Sequence, residues 1–195
     1  MAAISRGSLM SLEEYAKQRK DFRARVMAHK HNRKVHLGEH VTLLFEDELT
    51  IRYQVQEMLR AERIFEEEGI VDELEAYNPL IPDGSNWKVT MLIEYPDESE
   101  RKKALARLID IEDKVWVQVK GQTKVFAIAD EDLERETSEK TSSVHFLRFE
   151  LTAAMKEALK HGQALGMGID HPNYQVTVEK VSEAVRQSLI NDLTL

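Results

Sequence analysis

The sequence predicts an α+β protein: a helical N-terminal third packed on a mostly antiparallel sheet with further helices. Three observations carry this expectation. Apolar residues recur at helical spacing from Leu12 to Val26. "WKVTMLIEY", "KVWVQV", "KVFAIA" and "SVHFLRFEL" are rich in β-branched and aromatic residues and read as strands. Between the two middle runs, Lys120-Gly121-Gln122-Thr123 has hairpin-turn chemistry, which pairs its flanks antiparallel. A chain of 195 residues, 42% of them hydrophobic, has enough material to bury one ordinary core. We therefore expect residues 1–10 as a flexible tail and residues 11–195 as a single α+β domain.

Ser11-Leu12-Glu13-Glu14 is a capping box, and Leu12, Tyr15, Arg19, Phe22 and Val26 follow it in one stripe. The spacing predicts a helix from about residue 12 to about residue 30 within a basic helical arm, 11–36. "VTLLF", residues 41–45, predicts a short strand. A long helix should run from about Asp47 to Glu68 and stop at Gly69, with Ile51, Val55, Met58, Glu62 and Phe65 facing inward. Residues 76–87, "AYNPLIPDGSNW", form an irregular loop. Strand 87–95 leads through Pro96-Asp97 to a helix ending near residue 110. After the hairpin, "DEDLERE" reads as a short acidic helical turn. Residues 143–151 carry bulky apolar groups on both faces, which marks a strand interior to the sheet. Thr152 caps a helix that ends at Gly162; a strand near 174–178 and a helix over about 180–193 finish the chain.

Composition narrows the chemistry. The chain has no cysteine, which excludes disulfides, thiolate metal sites and cysteine-held Fe–S clusters. No run approaches the ~20 apolar residues of a membrane helix, and the N-terminal stretch lacks an apolar signal core, so a cytoplasmic protein away from membranes is expected. Between Lys17 and His36 stand eight Lys or Arg against one acid, Asp21, although the whole chain carries −8. Arg19, Arg23, Arg25, Lys30, Arg33 and Lys34 could present this charge to an acidic partner or lay it on the protein's own acidic body. The second arrangement is favoured because the acidic body is covalently present, which leaves nucleic-acid binding as a minor alternative.

Two histidine patterns invite a metal reading. His36-Leu37-Gly38-Glu39-His40 spells the inverted zinc-hydrolase motif, which needs both histidines on one helical face. Gly38 inside it, the strand-forming residues after it and the cations before it argue against that assignment. His145 lies mid-strand beside Leu147 and Phe149, either as a hydrogen-bonded core residue or as a ligand aimed inward. With His171, placed before Pro172, and Glu62, a carboxylate on a core face, it could surround one Fe, Mn or Zn ion. Glu62 could equally pair with Arg19 or Arg148. In the 76–87 loop, Asn78, Asp83, Asn86 and Trp87 are candidates for a ligand or partner surface. Phosphate-loop and G-x-S-x-G motifs are missing, as is the E-x-x-H of di-iron bundles, so no complete catalytic set emerges.

"TLLFEDELTIRYQVQEMLRAERI", "AYNPLIPDGSNWKVTMLIEY", "DIEDKVWVQV" and "SVHFLRFEL" together resemble a bacterial family known as a domain of unknown function. The resemblance runs from about residue 12 to the C-terminus. It implies a genomic setting near rubrerythrin-like and Fe–S oxidoreductase-like proteins, and hence a place around redox or oxidative-stress chemistry. The expectation is a non-enzymatic accessory protein with a protein partner, and a homodimer is compatible with the half-apolar first helix. The alternative is a His/carboxylate metal-binding protein or metalloenzyme.

Overall fold

The computed structural model describes residues 3–194. Along the chain run α1 (Leu12–His31), β1 (Lys34–Leu37), β2 (Val41–Glu46), α2 (Glu48–Ala61), α3 (Glu67–Tyr77), β3 (Asn86–Ile93), α4 (Glu98–Arg107), β4 (Val115–Val119), β5 (Val125–Phe126), β6 (Ile128–Ala129), β7 (Val144–Glu150), α5 (Ala153–Lys160), β8 (Leu165–His171), β9 (Tyr174–Val178) and α6 (Glu183–Ile190). The fold is α+β, as the sequence predicts.

All strand pairs are antiparallel and fall into two sheets, ordered β1-β2-β3-β7-β6 and β5-β4-β8-β9. Their inner faces share one core, in which Phe45, Trp87, Val117, Phe149 and Met167 are buried. β7 lies between β3 and β6, and its inward positions are His145, Leu147 and Phe149. The sheets are joined along both sides. On one side a single extended segment changes sheet: the Ala127 N–H donates to the Val115 carbonyl of β4 at 2.9 Å, and the Asp130 N–H donates to the Phe146 carbonyl of β7 at 2.8 Å. On the other, the Tyr174 hydroxyl donates to the Leu37 carbonyl at 2.6 Å and accepts from the His40 N–H at 3.1 Å.

The helical layer has its own smaller cores. α2 sits between α1 and α3, burying Ile51, Val55 and Leu59 toward Ile70 and Leu74, and Tyr53 toward Tyr15, Phe22 and Val26. Ser11 caps α1 through the Glu14 N–H, and Asp47 and Thr50 close a reciprocal box at the start of α2. Arg33 then locks this layer to the sheets. Its guanidinium, 1% exposed, donates to the carbonyls of Phe45, Glu46 and Ser188 and to the Asp192 carboxylate.

Several elements differ from the sequence expectation. Residues 1–2 of the anticipated tail lie outside the described residues, but the rest of it is docked: Ile4 and Leu9 are buried, and Asn78 clamps the Ile4 backbone through both its amide groups. The basic arm stops being helical at His31, since β1 already occupies residues 34–37. The long helix breaks after Ala61, where Arg63 adopts φ +54° and the chain restarts as α3, with Gly69 inside it. Glu62 and Phe65 are consequently exposed rather than core-facing. "DEDLERE" forms no helix.

Candidate metal centre

Three ligand-bearing side chains, Glu112 and His145 buried and Asp130 nearly so, meet where β6, β7 and the turn before β4 converge. Asp130 follows the two residues of β6 and has φ +48°, a left-handed conformation that turns the chain out of the sheet. Its carboxylate turns back: Oδ1 accepts from the Phe146 N–H at 2.9 Å, and Oδ2 lies 2.6 Å from His145 Nδ1. Glu112 sits on a short 3₁₀ turn, Ile111–Lys114, entered through the left-handed Asp110 (φ +66°). Its Oε1 is 3.6 Å from the same His145 Nδ1. One ligand atom from each of Glu112, Asp130 and His145 lies within 4.8 Å of the other two. The three side chains are 7%, 9% and 0% exposed, respectively.

The surroundings orient the imidazole. Nε2 donates to the Ser142 carbonyl at 3.0 Å and lies 2.9 Å from the Thr141 hydroxyl, which in turn reaches Glu112 Oε2 at 3.3 Å. With Nε2 held by a backbone carbonyl, Nδ1 is the ring atom directed at the two carboxylates, the arrangement that second-shell partners impose on metal-ligating histidines. Burial raises the Glu112 carboxyl above its ordinary value, opposed by His145. Arg135 supplies nearby positive charge, its Nε 3.3 Å from Asp130 Oδ1 and its guanidinium 4.6 Å from the Phe146 ring centre. One nitrogen and two carboxylate oxygens suit a first-row divalent ion such as Mn, Fe or Zn.

His145 is in the cluster. His171 is not: its Nε2 donates to the Ile109 carbonyl at 2.9 Å and its Nδ1 accepts from the Asn173 N–H at 3.1 Å, so both nitrogens tie the β8–β9 hairpin in place. Glu62 caps the end of α2 in the open, while Arg19 pairs with Glu57 and Arg148 with Glu131 and Glu150. His36 and His40 flank a β-turn at Gly38 (φ +74°), where His36 meets Thr42 and His40 stacks on Tyr95 at 3.8 Å, so the inverted zinc motif is never laid on a helix. In the 76–87 loop the named side chains bond within the chain, while Asp83 stays exposed. Asn78 holds Ile4, Asp83 and Asn86 close one turn, and buried Trp87 donates to the Leu189 carbonyl at 2.9 Å.

The basic arm divides. Arg19 and Arg33 are engaged by carboxylates, Lys30 lies over the Tyr53 ring with its pKa lowered by burial, and Arg25 lies over Phe22. Arg23 and Lys34 remain exposed. Glu112 and Asp130 stand outside the residues to which the sequence points. The available signal was weak: an acid directly after an isoleucine in "DIED", and the first acid after the apolar run "KVFAIA".

A family described as protein of unknown function (DUF3501) matches residues 3–193. Among solved structures, the chain is similar to a protein from Burkholderia pseudomallei K96243, described as a novel protein of unknown function and determined at 1.90 Å resolution. The two are 55% identical with a TM-score of 0.95, covering 99% of this chain and 100% of that one. No curated protein matches. No helix among the described residues is long and apolar enough to cross a membrane.

Proposed function

This chain belongs to that family, and we propose that it is a cytoplasmic, non-enzymatic accessory protein that holds one divalent Fe, Mn or Zn ion at Glu112, Asp130 and His145. The observation that carries the reading is the convergence of two carboxylates and an imidazole nitrogen from three separate elements on one buried point, with the other ring nitrogen tied to Ser142. The seclusion of the ligands, two buried and Asp130 nearly so, favours holding an ion over turning over a bulky substrate. A redox protein of the rubrerythrin-like or Fe–S oxidoreductase-like kind fits as the partner that such a protein would serve.

The test is elemental analysis of untagged protein purified without chelators. The expected result is near-stoichiometric Fe, Mn or Zn; less than about a tenth of an equivalent refutes the reading. Asp130→Asn and His145→Gln should each lower metal content while far-ultraviolet circular dichroism stays native. Equal metal content in both variants and the parent would show that the ion sits elsewhere.

A further inference from the structure

The helical layer carries two opposite surfaces on either side of α2. On α1, Ala16, Arg19, Lys20, Arg23, Ala24 and Met27 line a shallow, open trough of about 520 Å³ on one outward face, with Arg19 held by Glu57. The two alanines keep its floor low, and Met27 is 39% exposed. Among the described residues, Lys17, Lys20 and Arg23 have no carboxylate within ion-pair distance, unlike their neighbour Arg19. On the far flank, residues 62–75 hold seven carboxylates against one cation, Arg63. From this acidic surface Phe65 projects at 70% exposure, with Val71 at 37%. Its one described ion pair is the surface contact between Arg6 and Glu67. Glu73 is raised first by its partial burial and then by Glu62 and Asp72, so these acids already crowd one another.

A cationic trough and an anionic surface bearing an exposed aromatic side chain are complementary in charge. Because α1 and α3 flank the same helix, a two-fold axis passing near α2 can satisfy both surfaces at once and close the assembly at two copies. We propose that the occupant of this face is a second copy of the chain, with α1 of each protomer lying against α3 of its partner and Phe65 entering the trough between Ala24 and Met27. The inference is independent of the metal centre, which lies between the sheets and the 130–142 loop. Most of the paired charges are exposed, so the dimer is weak and salt-sensitive rather than obligate.

The experiment is sedimentation equilibrium on the full chain at low and high ionic strength. Raising salt from ~20 to ~500 mM should weaken self-association about tenfold or more. Lys20→Glu with Arg23→Glu makes one variant, and Glu68→Lys with Asp72→Lys and Glu75→Lys makes the other, which leaves α3 with these three lysines against Glu67 and Glu73; all five positions are exposed. Each variant alone should be monomeric, because both of its interfaces now oppose like charges. An equimolar mixture should form a heterodimer within about threefold of the parental affinity, since both reversed surfaces then meet their complements. Phe65→Ser gives a second route, weakening the dimer without changing charge. A parent that is monomeric throughout the micromolar range overturns the proposal, including the case where its cationic stripe captures a different acidic protein. So does a dimer that survives both reversals, or a mixture that fails to associate.

Discussion

Replacing Arg33 with Met tests whether the basic arm is the protein's own wiring. The substitution keeps roughly the side chain's length but deletes every donor of a guanidinium that is 1% exposed. It strips partners from the carbonyls of Phe45 and Glu46 and leaves the Asp192 carboxylate, 4% exposed, without its cation. Breaking one side of a buried pair typically costs about 3–5 kcal/mol. Here the loss should lie near the lower end. Burial already pushes the Asp192 carboxyl up to about 6 against the pull of Arg33, so without the cation it takes up a proton at neutral pH. With a urea dependence of about 2–3 kcal/mol per molar, a loss of about 3 kcal/mol shifts the midpoint by about 1 M. The assay is urea unfolding followed by tryptophan fluorescence, since Trp87 bonds to Leu189 beside this site. Adding Asp192→Asn to Arg33→Met should recover part of the loss, which a double-mutant cycle reads as coupling. A midpoint change worth less than about 0.5 kcal/mol, the range of ordinary surface substitutions, would refute the assignment of Arg33 as an internal tie.

Two further outcomes follow from the geometry. Glu57 is held down to about 2, first by its hydrogen bonds from Arg19 and, against partial burial, by Tyr15. A depressed carboxyl contributes stability above its ordinary value near 4.5 that is lost as pH falls toward about 2, so Glu57→Gln should flatten this acid limb; parallel pH–stability curves for parent and variant would contradict it. At Gly168, an added Cβ would lie 2.3 Å from the Trp116 ring and 2.5 Å from the Val176 carbonyl oxygen. Gly168→Ala should therefore destabilise by about 1–3 kcal/mol and shift the near-ultraviolet dichroism of Trp116; an unperturbed spectrum at full stability would count against that packing.

Local patterns reached the structure where the relevant interaction was local. The Tyr15, Arg19, Phe22 and Val26 stripe, the turn at Gly121 and the Thr152 cap all concern residues within a few positions of one another. The break after Ala61 was hidden because Ile51, Val55 and Met58 extend in register to Phe65, and letters alone do not show the chain turning at Arg63. The charged arm was visible as composition, yet its partners lie 38 residues away for Arg19 and 159 for Arg33. The candidate centre shows the same division. His145 could be picked out by its alternation with Leu147 and Phe149. Asp130 and Glu112 could not, since their approach depends on a segment changing sheets and on two left-handed residues.

The Tyr174 hydroxyl bears on how this chain behaves among its neighbours. An uncovered edge strand is a template onto which other polypeptides add, and proteins blunt such edges to avoid it. Here one phenolic oxygen draws β9 toward β1, so the last strand of one sheet and the first of the other shield each other's rims. A contact that closes the core thus also serves as a guard against edge-to-edge aggregation, through an atom that touches neither the proposed ion nor the proposed partner.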